Sequence, residues 1–369
     1  MSKPTTFQGF TRSARALGRA TVFFLKVFPM LPSRPVDWVT QTPRIDAVRY
    51  PARDGMAEGE LYRPASDGPH PGILVCLGVV PFGQNHPQVA VLGNALARAG
   101  FAALLYWSPA MRDLRLDPED VENIPLAYDW LVSQPYVDAA RSGMIGTCVG
   151  GSFALMAAAH PLIRERISFV SAYAPYSSLW TFARDIASST RTAARTGGGD
   201  PHEPWQVDQL TRKVFVHSLA ALLEPDEAGQ VLAAFHAPGG SLDGSSLSAE
   251  GQAICALLSA PERPAAEAAL RCLPPAFQAR LDAISPARYL ADIHAPLMIL
   301  LHDRGDNLIP IGESWRLIEA LDGRAGVQFT EMQFQHLDPI KGNLPMSQKA
   351  RELWKFLRAM YPLFLHITE

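Results

Sequence analysis

Gly146-Thr147-Cys148-Val149-Gly150-Gly151 decides the reading of this chain. The stretch follows the strand-like Ser142-Gly143-Met144-Ile145 and precedes Phe153-Ala154-Leu155-Met156-Ala157-Ala158-Ala159, a run of helix formers. A residue with glycine two places before it and two after it, between a strand and a helix, is the pattern of a nucleophile elbow, here carrying Cys148. The glycines have a steric reason, because side chains at either flank would collide as the chain reverses on a strained turn. The same turn puts the Val149 amide at a helix N-terminus, where it can stabilise an oxyanion and favour a thiolate.

Working outward, a repeating strand-then-helix pattern predicts a mostly parallel sheet flanked by helices. Ile45–Tyr50 and Glu58–Tyr62 read as strands around a turn at Asp54-Gly55. Gly72–Leu77, Phe101–Tyr106 and Ile167–Ala172 read as buried strands, and Val89–Arg98 as a helix stopped by Gly100. A helix over Pro118–Ser133 is expected to kink at Pro125. The alternation stops between Ser177 and Ser285, where helical segments are separated by Gly/Ser-rich breaks. It resumes with the strand Leu297–Leu301, a helix over Glu313–Leu321, the strand Val327–Thr330 and a last helix through Leu353 and Leu357. The expected organisation is therefore an N-terminal helix over 1–36, a first part of the core over 37–176, a helical lid inserted over 177–285 and a second part of the core over 286–369.

Residues 1–36 contain six Lys or Arg and no Asp or Glu. At about 100° per residue, Arg12, Arg15, Arg19 and Lys26 cluster on one side of a helix, with Leu17, Phe24, Phe28 and Leu31 roughly opposite. Pro29 and Pro32 should end that helix, leaving it shorter than the roughly 20 apolar residues of a bilayer span. Lys26 interrupts the apolar run and no small-residue cleavage site follows, so a signal peptide is not expected. The readings are a helix packed on the core or on a second subunit, a basic amphipathic helix resting on an anionic membrane, or, behind these two, an organelle transit peptide. The expected location is cytoplasmic, with peripheral contact at the inner face of the membrane under the second reading.

Composition narrows the function classes. A net charge of -3 argues against a nucleic-acid binder, which would carry a basic domain. Four scattered cysteines without CxxC or Cys/His spacing suit neither a disulfide framework nor a zinc site. No metal or cofactor is expected, and the expected partner is a small acyl substrate.

A thiol nucleophile needs a base, and the base an orienting carboxylate, both at the C-terminal ends of later strands. His336 follows the strand ending near Phe334, and Asp306 follows Leu297–Leu301, giving the chain order nucleophile, acid, histidine. Asp303 competes for the acid role, and His302 and His86 are lesser candidates for the base. Cys76, on an apolar strand, reads as packing. Phe82, Trp107, Tyr173 and Tyr176 are candidate pocket walls.

With these pieces in place, residues 45–175 and 286–360 resemble the α/β-hydrolase superfamily, and within it the dienelactone-hydrolase-like branch. The resemblance is carried by the cysteine elbow, by Val137-Asp138 with Arg141 before it, and by Asp306-Asn307-Leu308-Ile309-Pro310. It implies a second oxyanion amide from Val79, with Val80 as the alternative, since Leu77-Gly78-Val79 stands where many members carry His-Gly-X. Leu77 replaces that histidine, and no glutamate appears among Cys76 to Val80 as in dienelactone hydrolase, so lactone specificity does not carry over. The implied activity is hydrolysis of an ester, lactone or thioester through Cys148, His336 and Asp306. The elbow also resembles that of polyhydroxyalkanoate synthases, which implies acyl transfer as an alternative. A non-catalytic binding protein on the same fold is the third.

Overall fold

In β3 (His70–Cys76), Ile73 and Val75 are buried in one apolar cluster and Leu74 and Cys76 in another. A strand apolar on both faces requires a layer of helices on each side, and two such layers are what the chain builds. The computed structural model describes residues 6–28, 30–80, 86–195, 201–236, 239–333 and 345–368.

The chain opens with α1 (Thr6–Val27) and the short α2 (Arg34–Val39), then the antiparallel hairpin β1 (Arg44–Ala52) and β2 (Gly55–Arg63). After β3 come α3 (Pro87–Arg98), β4 (Ala102–Tyr106), α4 (Pro109–Arg112), α5 (Glu119–Val132), β5 (Val137–Thr147), α6 (Val149–Ala158) and β6 (Phe169–Tyr173). α5 continues as one helix through Pro125. Between β6 and the next strand of the sheet lie α7 (Leu179–Ser188), a two-stranded ribbon of β7 (Thr190–Thr192) and β8 (His202–Pro204), α8 (Gln209–Ala220), α9 (Pro225–Phe235), α10 (Ala249–Leu258), α11 (Arg263–Cys272) and α12 (Pro275–Ala283). The chain returns through β9 (Leu297–Asp303), α13 (Gly312–Ala320), β10 (Val327–Met332) and α14 (Met346–His366).

Among the described residues, eight strands form one sheet in the order β1-β2-β4-β3-β5-β6-β9-β10, parallel from β4 onward. The registers fix which residues share an edge. Cys76 pairs with Gly146, and Thr147 with Tyr173, which pairs in turn with Leu301. The turns after β3, β5, β6 and β9 therefore open at one rim.

The segment between β6 and β9 is held at its neck. The Tyr176 hydroxyl donates to the Ile284 carbonyl at 2.9 Å, and the Ala287 amide to the Ser177 carbonyl at 2.9 Å. Glu313 of α13, fully buried, accepts from the amides of Ser177 and Ser178 at 2.8 and 3.3 Å and is paired with Arg316 at 2.6 Å. A carboxylate at the start of α7 also complements the helix dipole.

The N-terminal helix packs on the core. It lies against α3 and α14, burying Ala16, Ala20 and Phe23, while Phe28 makes an edge contact with Phe356 at 5.3 Å. Leu17, expected on the apolar side, is 51% exposed instead. Small residues allow close approach of two helices, so alanines rather than the leucine define the seat. Arg12, one of the cluster expected on the basic side of the helix, donates to the carbonyls of Thr368 and Leu365 at 2.7 and 3.1 Å. A guanidinium there satisfies carbonyls that a helix end leaves unpaired. No helix among the described residues is long and apolar enough to cross a membrane.

On the opposite layer, Asp120 in the first turn of α5 accepts from Tyr106 and Ser108, both at 2.5 Å, and ties that helix to the end of β4. Burial pushes its carboxyl up to about 6, more than these hydrogen bonds lower it. A raised carboxyl contributes stability that is complete below its unfolded value near 3.9 and is lost as pH rises through about 6. Asp120→Asn is expected to remove that dependence: the stability lost between about pH 5 and pH 8 shrinks by about 1 kcal/mol relative to wild type. Urea titrations of both proteins at the two pH values measure it. Parallel losses in the two would show that Asp120 does not titrate in this way.

Candidate active site

Cys148 takes φ 56° and ψ -136°, a conformation that L-residues rarely adopt. Its amide is held by the Tyr173 carbonyl at 2.7 Å, and its carbonyl starts α6 by accepting from Gly151 at 2.9 Å. Packing enforces the turn. A Cβ on Gly146 would lie 2.4 Å from the Gly150 carbonyl oxygen, and one on Gly150 only 2.3 Å from that of Cys76. Neither position admits a side chain, so the reversal from β5 into α6 is as tight as the sequence spacing requires.

The loop after β3 is drawn equally close. A Cβ on Gly78 would stand 3.0 Å from the Cys148 Cβ and 2.9 Å from the Thr147 carbonyl. Val79 thus follows a glycine that touches the elbow, and Val79, Val149 and Cys148 all line one cavity. Val149 begins α6, where the first amides of a helix have no internal acceptor.

Asp306 reaches the same cavity from the loop after β9 and is 1% exposed. Its Oδ1 accepts from the amides of Leu308 and Ile309 at 2.7 and 3.1 Å, which fixes the carboxylate by its own turn. His302 supports that turn from beneath. Its Nε2 lies 2.8 Å from the Ile309 carbonyl, which only accepts, so Nε2 carries a proton; Nδ1 lies 2.7 Å from the Ser314 hydroxyl. His302 does not line the cavity among the described residues, whereas His86 does. Asp303, the other candidate acid, holds the amide of Gly305 at 2.8 Å and shapes the same loop. The helix α8 grips it as well, with Thr211 donating to the Leu308 carbonyl at 2.8 Å.

His336 and Phe82 lie outside the described residues. β10 ends at Met332, in register with Asp303 on the neighbouring strand, and His336 is four positions further along the chain. Of the expected pocket walls, Tyr173 lines the cavity. Trp107 and Tyr176 do not, and each has a physical reason. Trp107 follows β4, which β3 separates from the elbow strand, and is buried in the apolar layer beneath α1 and α14. Tyr176 stacks on Phe182, with centroids 5.7 Å apart, and uses its hydroxyl at the neck.

The cavity measures about 960 Å³ and straddles the rim of the sheet. Sequence reading missed most of its walls. Phe23 and Phe28 of the N-terminal segment and Phe356 and Met360 of α14 line one side, and Phe182, Ile186, Val214 and Phe215 of α7 and α8 the other. The apolar stripes of α1 and α14 were the available signal, but a stripe does not reveal which of its residues face a void. Among the described residues, no group of three or more His, Cys, Asp or Glu is arranged to hold a metal ion. All four cysteines are free; burial pushes the Cys76 thiol well up, which suits packing.

No family model matches the chain. It is 29% identical to a probable 2-oxo-3-(5-oxofuran-2-ylidene)propanoate lactonase of Bradyrhizobium sp, over 35% of this chain and 57% of that protein. It is 31% identical to the acyl-coenzyme A amino acid N-acyltransferase 1 of Mus musculus and 33% identical to the human acyl-coenzyme A thioesterase 1, over 29% of this chain and 25% of each relative. The chain thus spans between about a quarter and just over half of the curated relatives it matches. Among solved structures, 2,6-dihydroxy-pseudo-oxynicotine hydrolase superposes with a TM-score of 0.54 at 12% identity, over 88% of this chain and 68% of that one. A puromycin-hydrolyzing peptidase of Mycobacterium tuberculosis superposes with a TM-score of 0.51 at 16% identity, over 88% of this chain and 39% of that one.

The backbone at position 148 carries a prediction of its own. Glycine adopts φ near 56° and ψ near -136° without a Cβ penalty. Cys148→Gly is expected to unfold at higher denaturant than Cys148→Ala, a difference of about 1 kcal/mol despite the extra entropy of an unfolded glycine. Equal midpoints would mean that the elbow is not strained.

Proposed function

We propose that this chain, which has the α/β-hydrolase fold, hydrolyses a carboxylic ester or thioester through Cys148, His336 and Asp306. The observation that carries the reading is the strained Cys148 at the rim of a large apolar cavity, facing the glycine-tight loop of Val79. The lactonase and the acyl-coenzyme A thioesterase among its relatives are named for cleaving acyl bonds, which supports the same class of chemistry.

In this mechanism His336 removes the Sγ proton of Cys148, and the thiolate attacks the acyl carbonyl. The amides of Val149 and Val79 hold the resulting oxyanion, and a missing donor of this kind costs about 2.7–4 kcal/mol of barrier. The bond to the leaving group breaks as the imidazolium returns its proton to the departing alcohol or thiol. Water, deprotonated by His336, then attacks the acyl-thioester; the acid leaves and the proton returns to Sγ. Asp306 orients the imidazole and stabilises its charged form.

Acyl transfer is the second reading, favoured by the similarity to an amino acid N-acyltransferase. It shares the acyl-thioester and differs only in the acceptor. An amino acid added to the reaction would divert product from free acid to the N-acyl compound, whereas a polymerising synthase would return oligomeric ester.

The test is to mix enzyme with a panel of chromogenic esters and weigh the protein. Wild type is expected to show a burst of one equivalent and a mass increase of one acyl group on Cys148, both absent in Cys148→Ala. Asp306→Asn keeps the oxygen that accepts from Leu308 and Ile309 but loses the charge, so turnover should fall about 10³–10⁴-fold with the fold intact. An adduct on another residue, or turnover that survives Cys148→Ala, refutes the assignment.

A further inference from the structure

The cavity has two chemically different ends, one on each face of the sheet. Toward α1, α3 and α14 its walls include Phe23, Val27, Phe28, Leu92, Phe356 and Met360, with His86 and Gln88 at the start of α3 as the polar exceptions. Toward α7 and α8 apolar walls such as Phe182, Ile186, Val214 and Phe215 are interspersed with the polar side chains Asp208, Thr211 and Ser218, beside the Asp306-Asn307 loop. Cys148 lies between, since the apolar cluster beneath α1 and α14 covers one face of the sheet and the inserted helices extend the cluster on the other. A volume of about 960 Å³ sits at the top of the range of about 300–1,000 Å³ for small-molecule sites and far exceeds the need of a short acyl group.

We propose that the substrate carries a long hydrocarbon acyl chain, housed between α1, α3 and α14, and an uncharged leaving group that departs toward α8. The inference rests on Cys148 as the nucleophile, because that atom sets where the carbonyl must sit. Among the described residues lining this side only His86 and Gln88, at the start of α3, are polar, so an aliphatic chain is the ligand that the rest of these walls recognise. The other end is lined by Asp208, the N-cap of α8, whose carboxylate repels a polyanionic group such as a phosphorylated thiol. The N-terminal helix becomes a specificity element, with Val27 and Phe28 setting the length of chain accepted.

The experiment measures kcat/KM for p-nitrophenyl esters from acetyl to palmitoyl. In wild type each added methylene is expected to raise kcat/KM about 3- to 4-fold until the arm is full. Val27→Trp and Leu92→Trp, which narrow the arm from two different helices, should each lower the ratio of dodecanoyl to acetyl kcat/KM by 10-fold or more. A second readout needs no chemistry. Cys148→Ala should bind a dansyl-labelled undecanoic acid, displaceable by palmitate, and Cys148→Ala combined with Val27→Trp should not. For the leaving group, dodecanoyl-N-acetylcysteamine should be cleaved at least 10-fold faster than dodecanoyl-coenzyme A. A flat chain-length profile without fatty-acid binding overturns the arm, even if the acyl adduct on Cys148 still forms. Fatty-acid binding with no adduct overturns the nucleophile and leaves the arm standing. Preference for the coenzyme A thioester overturns the uncharged leaving group.

Discussion

The turn at Cys148 constrains everything around it. A backbone held at φ 56° between β5 and α6 persists only because neighbouring atoms leave no room to relax, and those atoms come from three directions. The Gly150 backbone presses on Gly146, the Cys76 carbonyl on Gly150, and Gly78 lies against Cys148 itself. The strain therefore belongs to the junction of β3, β5 and α6 rather than to one residue. The same compression aligns the elbow with the loop that carries Val79. The conformation that is costly for folding is the one that brings a sulfur and candidate oxyanion amides to one rim.

Around that junction the molecule divides its labour. The apolar pairs of β3 feed two layers of helices, and the registers of β5, β6 and β9 carry their C-terminal turns to the same edge. The loop after β9 is stiffened twice, by the Asp306 turn and by His302 beneath it. Glu313 then joins the inserted helices to the core at their neck, while α8 holds the Leu308 carbonyl. The insert is thus fastened at its root and along one wall of the cavity.

The parts of this design written locally were legible in the sequence. The β1–β2 hairpin, the buried strands and the elbow each follow from short-range patterns of glycine, alternation and apolar runs. The place of Asp306 on the loop after β9 followed from the apolar run Leu297–Leu301 just before it. The parts written by tertiary contact were not. Leu17 looks like core on a helical wheel but is exposed, because Ala16 and Ala20 let α1 approach its neighbours more closely. Trp107 and Tyr176 are aromatics at strand ends, yet strand order removes one from the site and the neck employs the other. The walls supplied by α1 and α14 required knowing which helix faces the void.

The bond from Arg12 to the carbonyls at 365 and 368 joins segments separated by some 350 positions. A ribosome emits about 5–20 residues per second, so α1 is exposed for many seconds before the helix it rests upon has been made. Until then its phenylalanines have only part of their seat, and the chamber beside the sulfur is missing a wall. Translation order thus makes assembly of that wall a closing event in maturation, and a nascent chain carries Cys148 before it carries the chamber.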